Sequence, residues 1–159
     1  MYDAIIFDND GVLTTPTART VWQSATRLAL QDAGVTAAVP AHFEVLDGHS
    51  LAAIVRVCRT YGIETETFWR RREHYAARGQ RHDVRAGQKT IYDDIDAVHA
   101  LDVPVGVVSN NQQETVDFLV DYFGLGKTVR TQYGREPSLD GVVRMKPNPH
   151  YLRRAIDDL

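Results

Sequence analysis

A single cysteine, Cys58, stands in 159 residues, so no internal disulfide can form, and the N-terminus lacks the basic-then-apolar pattern of a signal peptide. Both absences point to a cytoplasmic protein. No apolar run approaches the roughly 18 residues of a membrane span, which sets a membrane-spanning protein aside. Neither sign of charge dominates: 18 basic and 21 acidic side chains leave a formal charge of -3, too little for a global field that would draw the chain to nucleic acid or a membrane surface. Lysine is scarce, three against fifteen arginines. There is no internal repeat, low-complexity tract or long polar linker. What remains is an ordinary globular composition, 43% hydrophobic and 25% charged, of a length that suits one compact domain or a small domain carrying an insertion.

Residues 4–8 read as a short buried strand that ends at Asp8 and Asp10, and Gly11 lets the backbone turn sharply after them. Thr15-Pro16 reads as a helix cap followed by the first helical position, and Val21, Ala25, Leu28 and Ala29 keep helical spacing up to Gly34. After a loop containing Pro40, Leu51, Ile54, Val55, Cys58 and Tyr61 repeat the pattern up to Gly62, and Phe68, Trp69, Arg72, Tyr75 and Ala76 outline a third helix stopping near Gly79. The pattern changes at Gly87. Ile91, Ile95, Val98 and Leu101 mark a helix, and VPVGVVSN at 103–110 is an apolar run of strand length, as expected where both faces of a parallel sheet are covered. Asn111 with Glu114 makes a capping box for a helix carrying Val116, Leu119, Val120 and Phe123 and closed by Gly124. TVRTQYG supplies a third strand, Asp140-Gly141 signals a small hairpin, and NPHYLRRAIDDL reads as a last helix.

The expected fold is therefore α/β: a Rossmann-like, three-layer sheet core made by residues 1–14 and 87–159, interrupted after its first strand by an all-helical insertion, residues 15–86. Ligands of open α/β sheets bind at the carboxyl ends of the strands. That is where Asp8, Asp10, Ser109 and Asn110 gather.

Two carboxylates at one strand end form an anionic focus, and hard oxygen ligands of this kind suit Mg²⁺ with several waters kept. A metal there reduces the repulsion between Asp8 and an incoming phosphate. An aspartate so placed can attack phosphorus, while a second acid protonates the leaving alkoxide and later takes a proton from water. The Ser109 hydroxyl, the backbone amides around Asn110 and Asn111, and the Lys146 ammonium are candidates for the cradle around the phosphoryl oxygens. Lys146 is one of only three lysines, which suits a demand for a compact point charge.

FDNDGVLT, VVSN and RMKPNP stand in this order and with suitable spacing. In these three motifs the chain resembles the haloacid dehalogenase-like superfamily of phosphohydrolases, in its subgroup with a helical cap inserted after the first strand. The resemblance implies Asp8 as nucleophile, Asp10 as general acid/base, Ser109 and Asn110 as phosphate ligands, Lys146 as the residue that binds both phosphate and nucleophile, and Asp8 and Asp10 as the Mg²⁺ site. Because dehalogenases of the family lack an acid at the position of Asp10, the chain resembles the phosphatases and phosphomutases. It implies a small phosphorylated metabolite as substrate, of the sugar phosphate or phosphoglycolate type. The family's fourth motif, typically Gly-Asp on a further strand, has no counterpart: none of the eleven glycines precedes an aspartate. The expectation is a chain lacking the C-terminal strands of the family, with an open edge on the first strand. Two other readings stand beside the phosphatase: a β-phosphoglucomutase-like phosphomutase, and a truncated or non-catalytic binding protein that keeps the fold.

Segment 69–85, with six arginines against Glu73 and Asp83, reads as the solvated face of a cap helix rather than a nucleic-acid grip. Gly48 and His49 begin a cap helix where related caps carry substrate-selecting residues. Asp157 and Asp158 read as solvated, and Cys58 as a core residue. Nothing in the sequence indicates an oligomeric state.

Overall fold

The apolar run after Pro104 forms β2, Val105–Gln112, the middle strand of a three-stranded parallel sheet in the order β1, β2, β3. A computed structural model describes residues 2–47 and 50–159; Gly48 and His49, singled out above, lie outside the described residues. Strand β1, Ile5–Phe7, pairs Ile5 with Val105 and Phe7 with Val107, and β3, Val129–Arg135, lies on the other side of β2. Parallel pairing brings all three carboxyl ends to one edge.

Alternation along β2 sends Val105 and Val107 to one face, where they pack with Leu13, Val129 and the buried Val116 and Val120 of a helix that follows the strand. Val108 points to the other face, against Tyr151 and Ala155 of the last helix. The sheet is covered on both faces, which is why its central strand carries no polar alternation before Ser109.

Between β1 and β2 the chain is helical: α1, Arg19–Asp32; α2, Pro40–Asp47; α3, Leu51–Tyr61; α4, Thr65–Arg85; and the short α5, Ile95–His99. The first four share a second core of Ala29, Leu30, Leu46, Ile54, Val57, Cys58, Phe68 and Trp69. Burial pushes the Cys58 thiol up to about 11, as befits a core residue. After β2 come α6, Gln113–Tyr122; α7, Leu139–Arg144; and α8, His150–Asp158. No helix among the described residues is long and apolar enough to cross a membrane.

Several expectations are corrected by longer-range packing. Helix α1 starts at Arg19, not at Pro16, because the Thr15 hydroxyl accepts from the Thr90 amide while the Thr15 amide donates to the Thr90 carbonyl, 3.0 and 2.8 Å. These bonds hold the segment extended. Leu28 is exposed and Leu30 takes its place in the core. The Pro40 segment is helical rather than a loop. Helix α4 runs on through Gly79 to Arg85, with Val21 of α1 packed against Gly79. The Asn111 capping box does not form: α6 starts at Gln113, and Asn111 is buried with its side chain turned inward.

SLDGVV is helix α7, capped by the Ser138 hydroxyl accepting from the Gly141 amide at 3.1 Å. Gly141 serves close approach instead of a turn, since a Cβ there would collide with the Glu136 carbonyl oxygen. Gly141→Ala is therefore expected to destabilise by about 1–3 kcal/mol although alanine is the better helix former by roughly 1 kcal/mol. Gly126→Ala, where an added Cβ meets nothing, is expected to be nearly neutral; denaturant midpoints of the two variants check the contrast.

Asp158 is not simply solvated either. The Tyr133 and Thr131 hydroxyls donate to its Oδ2 at 2.6 and 2.9 Å, which holds its carboxyl below the usual range and pushes the Tyr133 phenol up. These bonds tie the end of α8 to β3.

Candidate functional site

Asp8 follows the last residue of β1, and Gly11, at φ +82°, turns the chain directly after Asp10. The carboxyl end of β2 delivers Ser109, Asn110 and Asn111 to the same place. A cavity of about 180 Å³ is lined there by Asp8, Asp10, Trp22, Ser109, Asn110 and Asn111. Four of the five residues expected from the sequence thus border one cavity.

The fifth, Lys146, arrives on the segment after α7. Its Nζ pairs with Asp8 Oδ1 at 2.9 Å and donates to the Val108 carbonyl at 2.8 Å. The Asn110 side chain accepts from the Lys146 amide at 2.7 Å and donates to its carbonyl at 3.0 Å. Both ends of this amide are therefore engaged in placing Lys146. Ser109 Oγ accepts from the Asn111 amide at 3.1 Å.

Asp8 Oδ1 also accepts from the Asn9 amide at 2.7 Å, while Oδ2 has no hydrogen-bond partner among the described residues. One oxygen is held and the other is left for chemistry. Asp10 differs. Its Oδ1 accepts from Asn9 Nδ2 at 2.8 Å and from Lys89 Nζ at 2.9 Å, and its Oδ2 lies 2.8 Å from the Thr17 hydroxyl and 3.4 Å from Asn111 Nδ2. Two donors hold Oδ1, and the single Thr17 proton is shared between Asp10 Oδ2 and Gln80 Oε1.

Lys89 escaped the sequence reading. It is 2% exposed, and its Nζ also donates to the Thr15 carbonyl at 2.6 Å. The scarcity that drew attention to Lys146 applies equally to Lys89, and this was the available signal. Gln80 of α4 also gave no local sign. Its side-chain amide and that of Asn111 exchange two hydrogen bonds, 2.8 and 2.7 Å, and its Oε1 lies 2.7 Å from the Thr17 hydroxyl. A polar chain thus runs from the interior of α4 to Asp10.

The arginine-rich segment is corrected in part. Arg70, Arg71, Arg78 and Arg85 are exposed as expected, but Arg72 is fully buried. It shares Glu73, also buried, with Arg135 from the carboxyl end of β3: Arg72 Nη1 pairs with Glu73 Oε1 at 2.8 Å and Arg135 Nη1 with Glu73 Oε2. Arg135 Nε donates to the Asn110 carbonyl at 2.7 Å. Three buried charges lie directly behind the site; the charge run reads Arg72 and Glu73 as solvated, although helical spacing sets Arg72 among the positions of the packed face.

For a divalent cation the fitting donor is the Asp8 carboxylate. Mg²⁺ is bound through one or two carboxylates and substrate phosphate while it keeps several waters, so a sparse donor set suits it. The Asp10 carboxylate meets Asn9 Nδ2 and the Lys89 ammonium at Oδ1, which leaves Oδ2 the less engaged of its oxygens. No group of three or more His, Cys, Asp or Glu side chains is gathered for a metal among the described residues.

The family model of the haloacid dehalogenase-like hydrolases matches residues 2–159. No curated protein matches the sequence. Among solved structures, a predicted phosphoglycolate phosphatase from Haemophilus somnus is similar with a TM-score of 0.59 at 18% identity, over 98% of this chain and 71% of that one. A conserved haloacid dehalogenase-like protein of unknown function from Agrobacterium tumefaciens gives 0.54 at 21% identity, over 99% and 68%. A predicted phosphatase from Clostridium acetobutylicum gives 0.51 at 15%, over 99% and 72%. At such identities the likeness speaks for the fold.

Proposed function

The chain belongs to the haloacid dehalogenase-like hydrolases, and on that premise we propose that it is a Mg²⁺-dependent phosphatase that cleaves a small phosphate monoester through an aspartyl-phosphate on Asp8. One observation carries the reading: a carboxylate with a free oxygen, an ammonium 2.9 Å from its other oxygen, and a second carboxylate held at Oδ1 by Asn9 and Lys89 all converge on strand ends.

Asp8 Oδ2 attacks phosphorus and the P–O bond to the leaving group breaks. The departing alkoxide takes its proton from Asp10, which then removes a proton from water as that water attacks the acyl phosphate; inorganic phosphate leaves and Asp8 is restored. Lys146 and Ser109 stabilise the equatorial oxygens. Mg²⁺, when bound, neutralises charge between Asp8 and the phosphoryl group. Asp8 and Asp10 would hold it at the carboxyl end of β1. In this reading residues 1–14 and 87–159 form the core, and residues 15–86 act as the cap that excludes water.

Lys89 positions Asp10. Lys89→Met is expected to slow turnover about 10- to 100-fold, part of the contribution of a well-placed general acid/base, with Lys89→Arg restoring some of it; single-turnover rates check this. The reading itself is tested by phosphate release from a panel of phosphate monoesters with and without Mg²⁺. Metal-dependent release supports it, and its absence from well-folded protein refutes it.

A further inference from the structure

Among the described residues lining the Asp8 cavity, Trp22 alone comes from the helical segment between β1 and β2. Its indole is half-buried and held from within the protein. The Arg72 guanidinium lies 5.1 Å from the Trp22 ring centroid and 4.9 Å from that of Trp69, and the Arg135 guanidinium lies 5.4 Å from Trp69. The order Trp22, Arg72, Trp69, Arg135 is thus a column of alternating rings and cations. It ends at the Asn110 carbonyl, to which Arg135 Nε donates at 2.7 Å.

Burying two guanidinium groups and Glu73 incurs a large desolvation cost, so this is an expensive way to fill space. What the column achieves is a fixed position for one flat apolar surface relative to the strand end that carries Ser109 and Asn110. A rigid aromatic wall favours a flat partner.

The lining residues also say what the partner lacks. None of the six is basic. Lys146 and Lys89 are paired with Asp8 and Asp10, and Arg72 and Arg135 share Glu73 at full burial. A leaving group with its own carboxylate or second phosphate would face two aspartates and no cation among the described lining residues. The cavity of about 180 Å³ has room for a phosphoryl group and a single ring.

We propose that Trp22 is the wall on which the leaving group packs, and that the ester cleaved is the phosphate of an uncharged, flat alcohol of the phenol type rather than one with a second anionic group. This deepens the phosphatase reading and rests on it. It also departs from the phosphoglycolate-like substrate that the sequence resemblance implied.

Phenyl phosphate and phosphoglycolate serve as probes for the unaltered chain, Trp22→Ala and Trp22→Phe, with folding followed by circular dichroism. The expected kcat/KM of the unaltered chain favours phenyl phosphate by about tenfold or more. Trp22→Ala should lose most of that preference through phenyl phosphate alone, and Trp22→Phe should keep most of it. A preference for phosphoglycolate, or an equal loss on both esters in Trp22→Ala, overturns the proposal. If neither ester is hydrolysed, the wider panel of monoesters decides the phosphatase reading, and binding decides the role of Trp22 by itself. Phenylphosphonate bound more tightly than inorganic phosphate by the unaltered chain, but not by Trp22→Ala, upholds that role; equal affinities overturn it.

Discussion

Asp8→Asn is expected to abolish phosphate release, with turnover falling about ten-thousandfold or more, the scale seen when a catalytic nucleophile is removed. The substitution is nearly isosteric. The amide keeps an oxygen for the Asn9 amide and Lys146, which both bond Oδ1 in the unaltered chain at 2.7 and 2.9 Å, so the fold should be untouched. What disappears is the second anionic oxygen, the one without a partner. Asp8 is exposed at 45% of its side chain, so the change leaves no buried group unsatisfied. Activity and stability should therefore separate: turnover gone, unfolding midpoint within about 0.5 kcal/mol, as for surface substitutions in general. Phosphate-release kinetics and a denaturant titration on the same preparation measure both. Residual turnover above a hundredth of the original would assign the attack to another group.

The second large effect concerns the charges behind the site. Glu73→Gln removes the carboxylate that bridges two fully buried guanidinium groups, Arg72 and Arg135. Breaking a buried pair by removing one partner costs about 3–5 kcal/mol. For a chain of this length that corresponds to a fall in Tm of roughly 6–20 °C. Replacing the group by an apolar one should behave differently, because buried ion networks are often matched by well-packed hydrophobic side chains. Arg72→Met combined with Glu73→Leu and Arg135→Met is expected to recover much of the lost stability. It should not recover a normal site, since the Asn110 carbonyl loses Arg135 and Trp22 loses the cation behind it. A Glu73→Gln protein within about 1 kcal/mol of the original would mean that water reaches these arginines and that the interaction is worth no more than a surface pair.

What the sequence revealed and what it hid divide by range. Asp8, Asp10, Ser109 and Lys146 sit within short strand-and-turn patterns whose local chemistry is readable, and the apolar run of β2 announced a sheet covered on both faces. Helical spacing set Arg72 with Phe68, Trp69 and Ala76, but what would make its charge tolerable when buried could not be read in this way. Its neighbours Arg70 and Arg71 are exposed on the same helix, and its partner Arg135 lies over sixty residues away on β3. Asn111 was assigned to helix capping because Glu114 stands three residues on, yet its amide is taken by Gln80 of α4. The Asp140-Gly141 turn signal failed for a similar reason: the glycine is required by the approach of the Glu136 carbonyl inside a helix. Each miss is a contact between elements that overrides a correct local preference.

The central claim is covalent chemistry at Asp8, and it is tested most directly by rapid quenching of the chain with Mg²⁺ and a phosphate monoester radiolabelled in its phosphoryl group, followed by peptide mapping. The account predicts an acid-stable, hydroxylamine-labile label on the peptide that contains Asp8, absent from Asp8→Asn. Hydrolysis of the ester with no label on the protein, or with label on another residue, would contradict it.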